Sequence, residues 1–227
     1  VMVKIKGYIF DLDDTLYCEH DYVRSGFRAV ARKMEEHSNQ DRSQLYGALV
    51  QEWRQNGRGK VFNAVCDRFD INIEIKELVQ VYREHEPTDI FLYDDAVKLL
   101  RYLKQNNIPM GIITDGDRHV QWRKIRALKL DRQIPCIVVS DDLGRECWKP
   151  SEVPYQKVLD CLGLQPKECV YIGDNPYKDF CTARMIGMHT IRVIRNVGDH
   201  MQIRLATEFE ADQEIDSLEQ IIGTVET

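Results

Sequence analysis

The chain has 227 residues, 43% of them apolar, with 37 acidic against 31 basic side chains and a formal net charge of −6. That is enough apolar material for one large α/β domain or for a core with a smaller insertion. The acidic balance, without any Lys/Arg-rich block, argues against nucleic-acid binding through a broad basic face and leaves room only for a local basic pocket, and no apolar run reaches the about 18 residues of a membrane span.

Residues 3–10 read as a buried strand that stops at Asp11-Leu12-Asp13-Asp14-Thr15. From residue 17 to about 88 the rhythm is helical. Val23, Phe27, Val30 and Met34 recur at helix spacing, as do Leu45, Leu49 and Trp53, and two more helices are predicted over 60–69 and 74–84. Asn56-Gly57-Arg58-Gly59 breaks this all-helical stretch, which ends near Pro87.

Beyond it, helices alternate with short apolar strands. A helix from 94, with Ala96, Leu99, Leu100 and Leu103 on one face, is closed by Asn106-Asn107 and Pro109. A strand over 110–113 halts at Thr114-Asp115-Gly116, and a helix over 119–130 leads to a strand over 134–139. Tyr155, Val158, Leu159 and Leu162 mark the next helix. A strand over 168–172 then ends in Gly173-Asp174-Asn175-Pro176. A short helix over 179–186, a strand over 189–194, a short strand over 213–215 and a helical end complete the chain. Continuous apolar strands alternating with helices imply a parallel sheet covered on both faces, with its ligand site beyond the carboxyl ends of the strands.

The seven cysteines are odd in number, scattered and never in a C-x-x-C pair. This pattern predicts free thiols in a reducing cytoplasm, with Cys136 and Cys169 as small core residues. The opening residues carry no charged leader or cleavage site, which agrees with a cytoplasmic expectation. No H-E-x-x-H, P-loop or G-x-G-x-x-G occurs, which removes common zinc, nucleotide and dinucleotide readings.

The sharpest demand is made by Asp11 and Asp13. Two like charges about 4 Å apart at an effective dielectric near 20 repel by roughly 4 kcal/mol, so carboxylates crowded at a strand end need a cation, a shared proton or separation.

Four signatures follow in order: Asp11-x-Asp13-x-Thr15, Thr114 after a strand, Lys149-Pro150, and Gly173-Asp174 with Asp179 five residues on. In these the chain resembles the haloacid dehalogenase (HAD) superfamily, in its phosphatase branch with a helical cap inserted after the first strand. The resemblance implies an α/β fold with a Rossmann-like parallel sheet core (1–16 and 89–227) and an all-helical cap (17–88). It implies a Mg²⁺-dependent phosphohydrolase acting through an aspartyl-phosphate on a small phosphorylated metabolite such as a nucleotide or sugar phosphate. A phosphomutase and a non-catalytic phospholigand-binding regulator are the alternatives, and no nucleic-acid polymer or membrane partner is expected.

Under that resemblance Asp11 is the nucleophile and Asp13 the general acid/base. Mg²⁺ is expected on the Asp11 and Asp174 side chains and the Asp13 backbone carbonyl. Thr114, the amides of Asp115 and Gly116, and Lys149 would hold the phosphoryl oxygens. Asp179 is a supporting residue for Lys149 or metal-bound water, and Thr15 would cap the turn after the nucleophile. Asp115 stands where many relatives carry a small or amide residue, so its side chain is expected to turn away from the phosphate. Asp14 is expected to serve only as a turn residue or helix cap. Tyr17, His20, Tyr22, Arg54, Arg58 and Lys60 are the candidates for substrate choice.

Overall fold

The computed structural model describes residues 4–224. Six strands, β1 (Gly7–Phe10), β2 (Met110–Thr114), β3 (Cys136–Val139), β4 (Cys169–Gly173), β5 (His189–Val193) and β6 (Gln213–Ile215), form one parallel sheet in the order β3-β2-β1-β4-β5-β6. β1, β2 and β4 are buried along their whole length, as continuous apolar runs demand of a sheet covered on both faces. Phe10 lies in register with Ile112 on one side and Ile172 on the other. The residues that follow these three positions, Asp11, Ile113-Thr114 and Gly173-Asp174, therefore come together at one sheet edge. After β3 the chain returns to the far side of β1, so β1 and β4 flank the switch point at which such sheets bind ligands.

The described chain divides into two compact units, one of them His20–Ile90 and the other formed by the residues on either side of it. The helical unit contains α1 (Glu19–Glu35, which begins one residue before it), α2 (Arg42–Asn56), α3 (Val61–Phe69) and α4 (Ile75–Glu84). Asp41 caps α2 by accepting from Ser43 N at 2.9 Å and Gln44 N at 3.0 Å. Phe27, Val30, Leu45, Leu49, Val65 and Leu78 fill its interior, and Phe27 meets Trp53 edge-on with ring centroids 5.8 Å apart. The helix-spaced residues from 23 to 53 thus bury one another.

In the sheet unit α5 (Asp94–Gln105), α6 (Arg118–Ala127), α7 (Val153–Leu162) and α8 (Cys181–Met185) connect the strands, and α9 (Glu219–Ile222) ends the described chain. α6 stops three residues short of the sequence reading, because Leu130–Arg132 tighten into a separate 3₁₀ turn after Lys129 takes a left-handed φ of 55°. The free-thiol expectation fails at two positions: Cys136 of β3 and Cys161 of α7 form a disulfide, with Cα atoms 6.0 Å apart. Cys18, Cys66, Cys147, Cys169 and Cys181 take no part in a disulfide. No helix among the described residues is long and apolar enough to cross a membrane.

Candidate active site

Asp11 follows β1 directly, its amide donating to Ile172 O of β4 at 2.8 Å, and its carboxylate is buried. Lys149 reaches it from the loop between β3 and α7. The Lys149 side chain is 0% exposed, and its Nζ donates to Asp11 Oδ1 at 2.6 Å, Asp179 Oδ1 at 2.7 Å and Tyr171 Oη at 2.7 Å. A buried lysine is tolerable only with such partners. Burial would lower its pKa, but the charges of Asp11 and Asp179 raise it well above the ordinary value and hold it as an ammonium.

The carboxylates divide by how well they are paired. Asp179 places Oδ1 on Lys149 and accepts from Asn175 N at 2.9 Å on Oδ2; against the upward push of burial, Lys149 and Lys178 hold its pKa low. Asp11 is pushed up to about 6, by burial first, then lowered by Lys149 and raised again by Asp179. Asp174 has less relief, with only the Lys178 charge lowering it. Its Oδ2 is buried without a hydrogen-bond partner among the described residues, and burial together with Asp11, Asp179 and Asp14 raises its pKa well above the carboxylate range.

One carboxylate oxygen from each of Asp11, Asp174 and Asp179 lies within 4.8 Å of the others. Three carboxylates around one ammonium leave an excess of negative charge in a buried place, and the orphaned Asp174 oxygen is the donor left over. This hard-oxygen set fits a divalent cation such as Mg²⁺, with Asp11 and Asp174 as side-chain ligands. Asp179 lies in the same cluster, but both its oxygens already hold Lys149 and Asn175. Gly173 makes that arrangement possible, because a Cβ there would stand 2.5 Å from Asp179 Oδ2.

Asp13 points away from this cluster. Its Oδ1 accepts from Tyr17 Oη and from Lys124 Nζ at 2.7 Å, and its Oδ2 accepts from Gln121 Nε2 at 2.8 Å. Burial pushes its pKa up, but the Lys124 charge and the three donors outweigh that and hold it below the usual range. Thr114, buried at the end of β2, accepts from Gln121 Nε2 at 2.6 Å. Asp115 accepts from Lys149 N at 3.1 Å and lies 3.6 Å from Lys178 Nζ, so its side chain anchors the lysine loop. Gly116, next to it, has φ of +122°, a conformation that favours glycine.

Several expectations need correcting. Thr15 does not cap the turn: its Oγ1 is buried with no hydrogen-bond partner. The cap is Asp14, at a left-handed φ of 55°, whose Oδ1 accepts from Glu19 N at 2.8 Å at the start of α1. Of the two structural roles expected of Asp14, turn or helix cap, it takes the cap. Tyr17, offered for substrate choice, belongs to the sheet unit and bonds Asp13. Tyr22 is 2% exposed and packs against Tyr82 and His85, which makes it an interior residue of the helical unit. His20 sits edge-on to Trp53 at 4.7 Å. Arg54 and Lys60 are exposed, and Arg58 lines a cleft of about 290 Å³ within the helical unit, beside Phe27, Phe62 and Tyr82.

Gln121, Lys124, Tyr171 and Lys178 were missed by sequence reasoning. The only signal for the first two was a Gln and a Lys three residues apart on the same helix face as Ile125. A lysine on a helix ordinarily reads as solvated, and Tyr171 sits inside an apolar run where it reads as core.

Residues 8–193 match the family model described as haloacid dehalogenase-like hydrolase. Among curated proteins, the glyceraldehyde 3-phosphate phosphatase of Methanocaldococcus jannaschii is 28% identical over 228 residues, which cover 97% of each chain. The pyrophosphatase PpaX of Bacillus mycoides is 26% identical over 195 residues, 84% of each. Among solved structures, the HAD-hydrolase YfnB of Bacillus subtilis, crystallised bound to magnesium, superposes with a TM-score of 0.73 at 19% identity, covering 99% of this chain and 100% of its own.

Proposed function

Because the chain belongs to the haloacid dehalogenase-like hydrolases, we propose that it is a Mg²⁺-dependent phosphatase that cleaves a small phosphorylated metabolite through an aspartyl-phosphate on Asp11. The observation that carries this reading is the buried set of Asp11, Asp174 and Asp179 around Lys149, with one Asp174 oxygen left without a partner. The phosphatase names of the matched relatives support the substrate class.

Asp11 supplies the attacking oxygen. Its Oδ1 is already engaged by Lys149, which orients the carboxylate and leaves Oδ2 for phosphorus. Lys149, fixed by Asp179 and Tyr171, offers its charge to the phosphoryl oxygens as negative charge builds on them. Thr114 and the amides after it add neutral donors. Asp13, ionised in the free protein, takes up a proton when the anionic ester binds beside it, gives it to the leaving oxygen, and takes one back from the water that cleaves the aspartyl-phosphate. A divalent cation held by Asp11 and Asp174 would lower the repulsion between a carboxylate nucleophile and an anionic ester. We assign the choice among esters to the helical unit.

The test is phosphate release by the purified protein from a panel holding glyceraldehyde 3-phosphate, pyrophosphate, sugar phosphates and nucleotides, with Mg²⁺ and with EDTA. Release that needs Mg²⁺ and vanishes in a folded Asp11→Asn variant is expected. Undiminished release by that variant would remove Asp11 as the nucleophile.

A further inference from the structure

α6 turns one face inward, and two polar residues lie on it. Gln121 and Lys124 are as buried as Ile125 beside them. The Lys124 side chain is 4% exposed, an unfavourable place for an ammonium unless a carboxylate meets it. Asp13 meets it at 2.7 Å, and Glu19 Oε1 lies 3.9 Å away. Gln121 divides its amide nitrogen between two acceptors, Asp13 Oδ2 at 2.8 Å and Thr114 Oγ1 at 2.6 Å.

The chemistry of these groups fixes directions. An ionised carboxylate only accepts, so the nitrogen of the Gln121 amide must face Asp13, and its two hydrogens serve Asp13 and Thr114 in turn. Thr114 Oγ1 then accepts from the protein, and its own O–H is left to donate elsewhere. Among the described residues Asp13 Oδ1 is occupied twice, by Lys124 and Tyr17, whereas Oδ2 has a single protein donor and a lone pair to spare.

We propose that Gln121 and Lys124 are positioning residues that lock the Asp13 carboxylate and the Thr114 hydroxyl into one hydrogen-bonded line. Asp13 Oδ2 then faces the leaving oxygen, and the Thr114 O–H faces a phosphoryl oxygen. This rests on the proposed role of Asp13 as the acid that protonates the leaving group. Neither residue touches the substrate; each acts through the group it holds.

The test compares kcat/KM for p-nitrophenyl phosphate, whose phenolate leaves without a proton, with kcat/KM for glycerol phosphate, whose alkoxide needs one. Asp13→Ala sets the reference, and it should lower the glycerol phosphate value by more than about 10²-fold while sparing the aryl ester. Gln121→Leu and Lys124→Met should show the same split at about tenfold or more, with circular dichroism and melting temperatures reporting that each variant is folded. An equal loss on both esters, no loss, or a gain on glycerol phosphate in both variants, while Asp13→Ala keeps its split, overturns the positioning role. Absence of any split in Asp13→Ala overturns the acid assignment itself, and the inference falls with it.

Discussion

Replacing Asp174 by Asn should stabilise the metal-free protein and abolish its response to Mg²⁺. The Asp174 carboxylate shares its buried place with Asp11 and Asp179, with ligand oxygens no more than 4.8 Å apart. At an effective dielectric near 20, each like-charge pair at that distance costs about 3.5 kcal/mol. Lys149 offsets part of this for Asp11 and Asp179, which it touches, but no donor reaches Asp174 Oδ2. An isosteric neutral amide should therefore gain about 3 kcal/mol near pH 7.5 in EDTA. For a chain of this length that is a rise in Tm of roughly 6–12 °C.

The sign with pH follows from the raised pKa of Asp174. Below the unfolded-state value near 4 the wild-type residue is protonated in both states, and the two proteins should melt alike. As pH rises through the higher folded-state value, the wild type loses that stability and the variant does not. Saturating Mg²⁺ at about 100 times its Kd should return about 2.7 kcal/mol to the wild type and nothing to the variant. Differential scanning calorimetry at pH 4 and 7.5, with EDTA and with Mg²⁺, reads all four states. A variant that melts below the wild type in EDTA at pH 7.5, or that gains equally from Mg²⁺, would refute the reasoning.

Three further outcomes are expected. Gly173→Ala would place a Cβ 2.5 Å from Asp179 Oδ2 and 2.8 Å from its Cγ, so it should cost about 1–3 kcal/mol by chemical denaturation and lower kcat by displacing the partner of Lys149. Reducing Cys136–Cys161, which are separated by 25 positions, should cost about 3 kcal/mol by loop-closure entropy; alkylation of the unreduced, denatured protein should modify five cysteines, and seven would refute the bridge. Leu49→Ala, at a fully buried position of the helical unit, should cost about 2–5 kcal/mol in urea melts.

How far the sequence could be read depended on the range of the interaction concerned. Strands and helices declared themselves through periods of two and 3.6 residues, which are local properties. Their ends were less legible. The short 3₁₀ turn at Leu130–Arg132 follows a left-handed Lys129, and no pattern in the side chains marks it. Asp14 and Thr15 show the same limit one residue apart. Both are good capping types, and only the path of the chain into α1 gives the Glu19 amide to Asp14. The Cys136–Cys161 bridge joins a strand to the helix that follows it, and odd, scattered cysteines gave no hint of the pairing.

By itself the sequence determined the family, the alternation of strand and helix, and the kinds of group that stand at the strand ends: Asp11 and Asp13 after the first, Thr114 at the second, Asp174 after the fourth. Those are matters of residue type and local order. The tertiary structure decided which charge answers which. The strand order β3-β2-β1-β4 sets Thr114 and Asp174 on either side of Asp11. Gly173 leaves room for the Asp179 carboxylate that holds Lys149, and the rotation of α6 about its axis turns Lys124 inward to Asp13. A buried charge chooses its partner through packing of residues 30 positions apart for Lys149 and Asp179 and 111 apart for Lys124 and Asp13, and no local pattern carries that information.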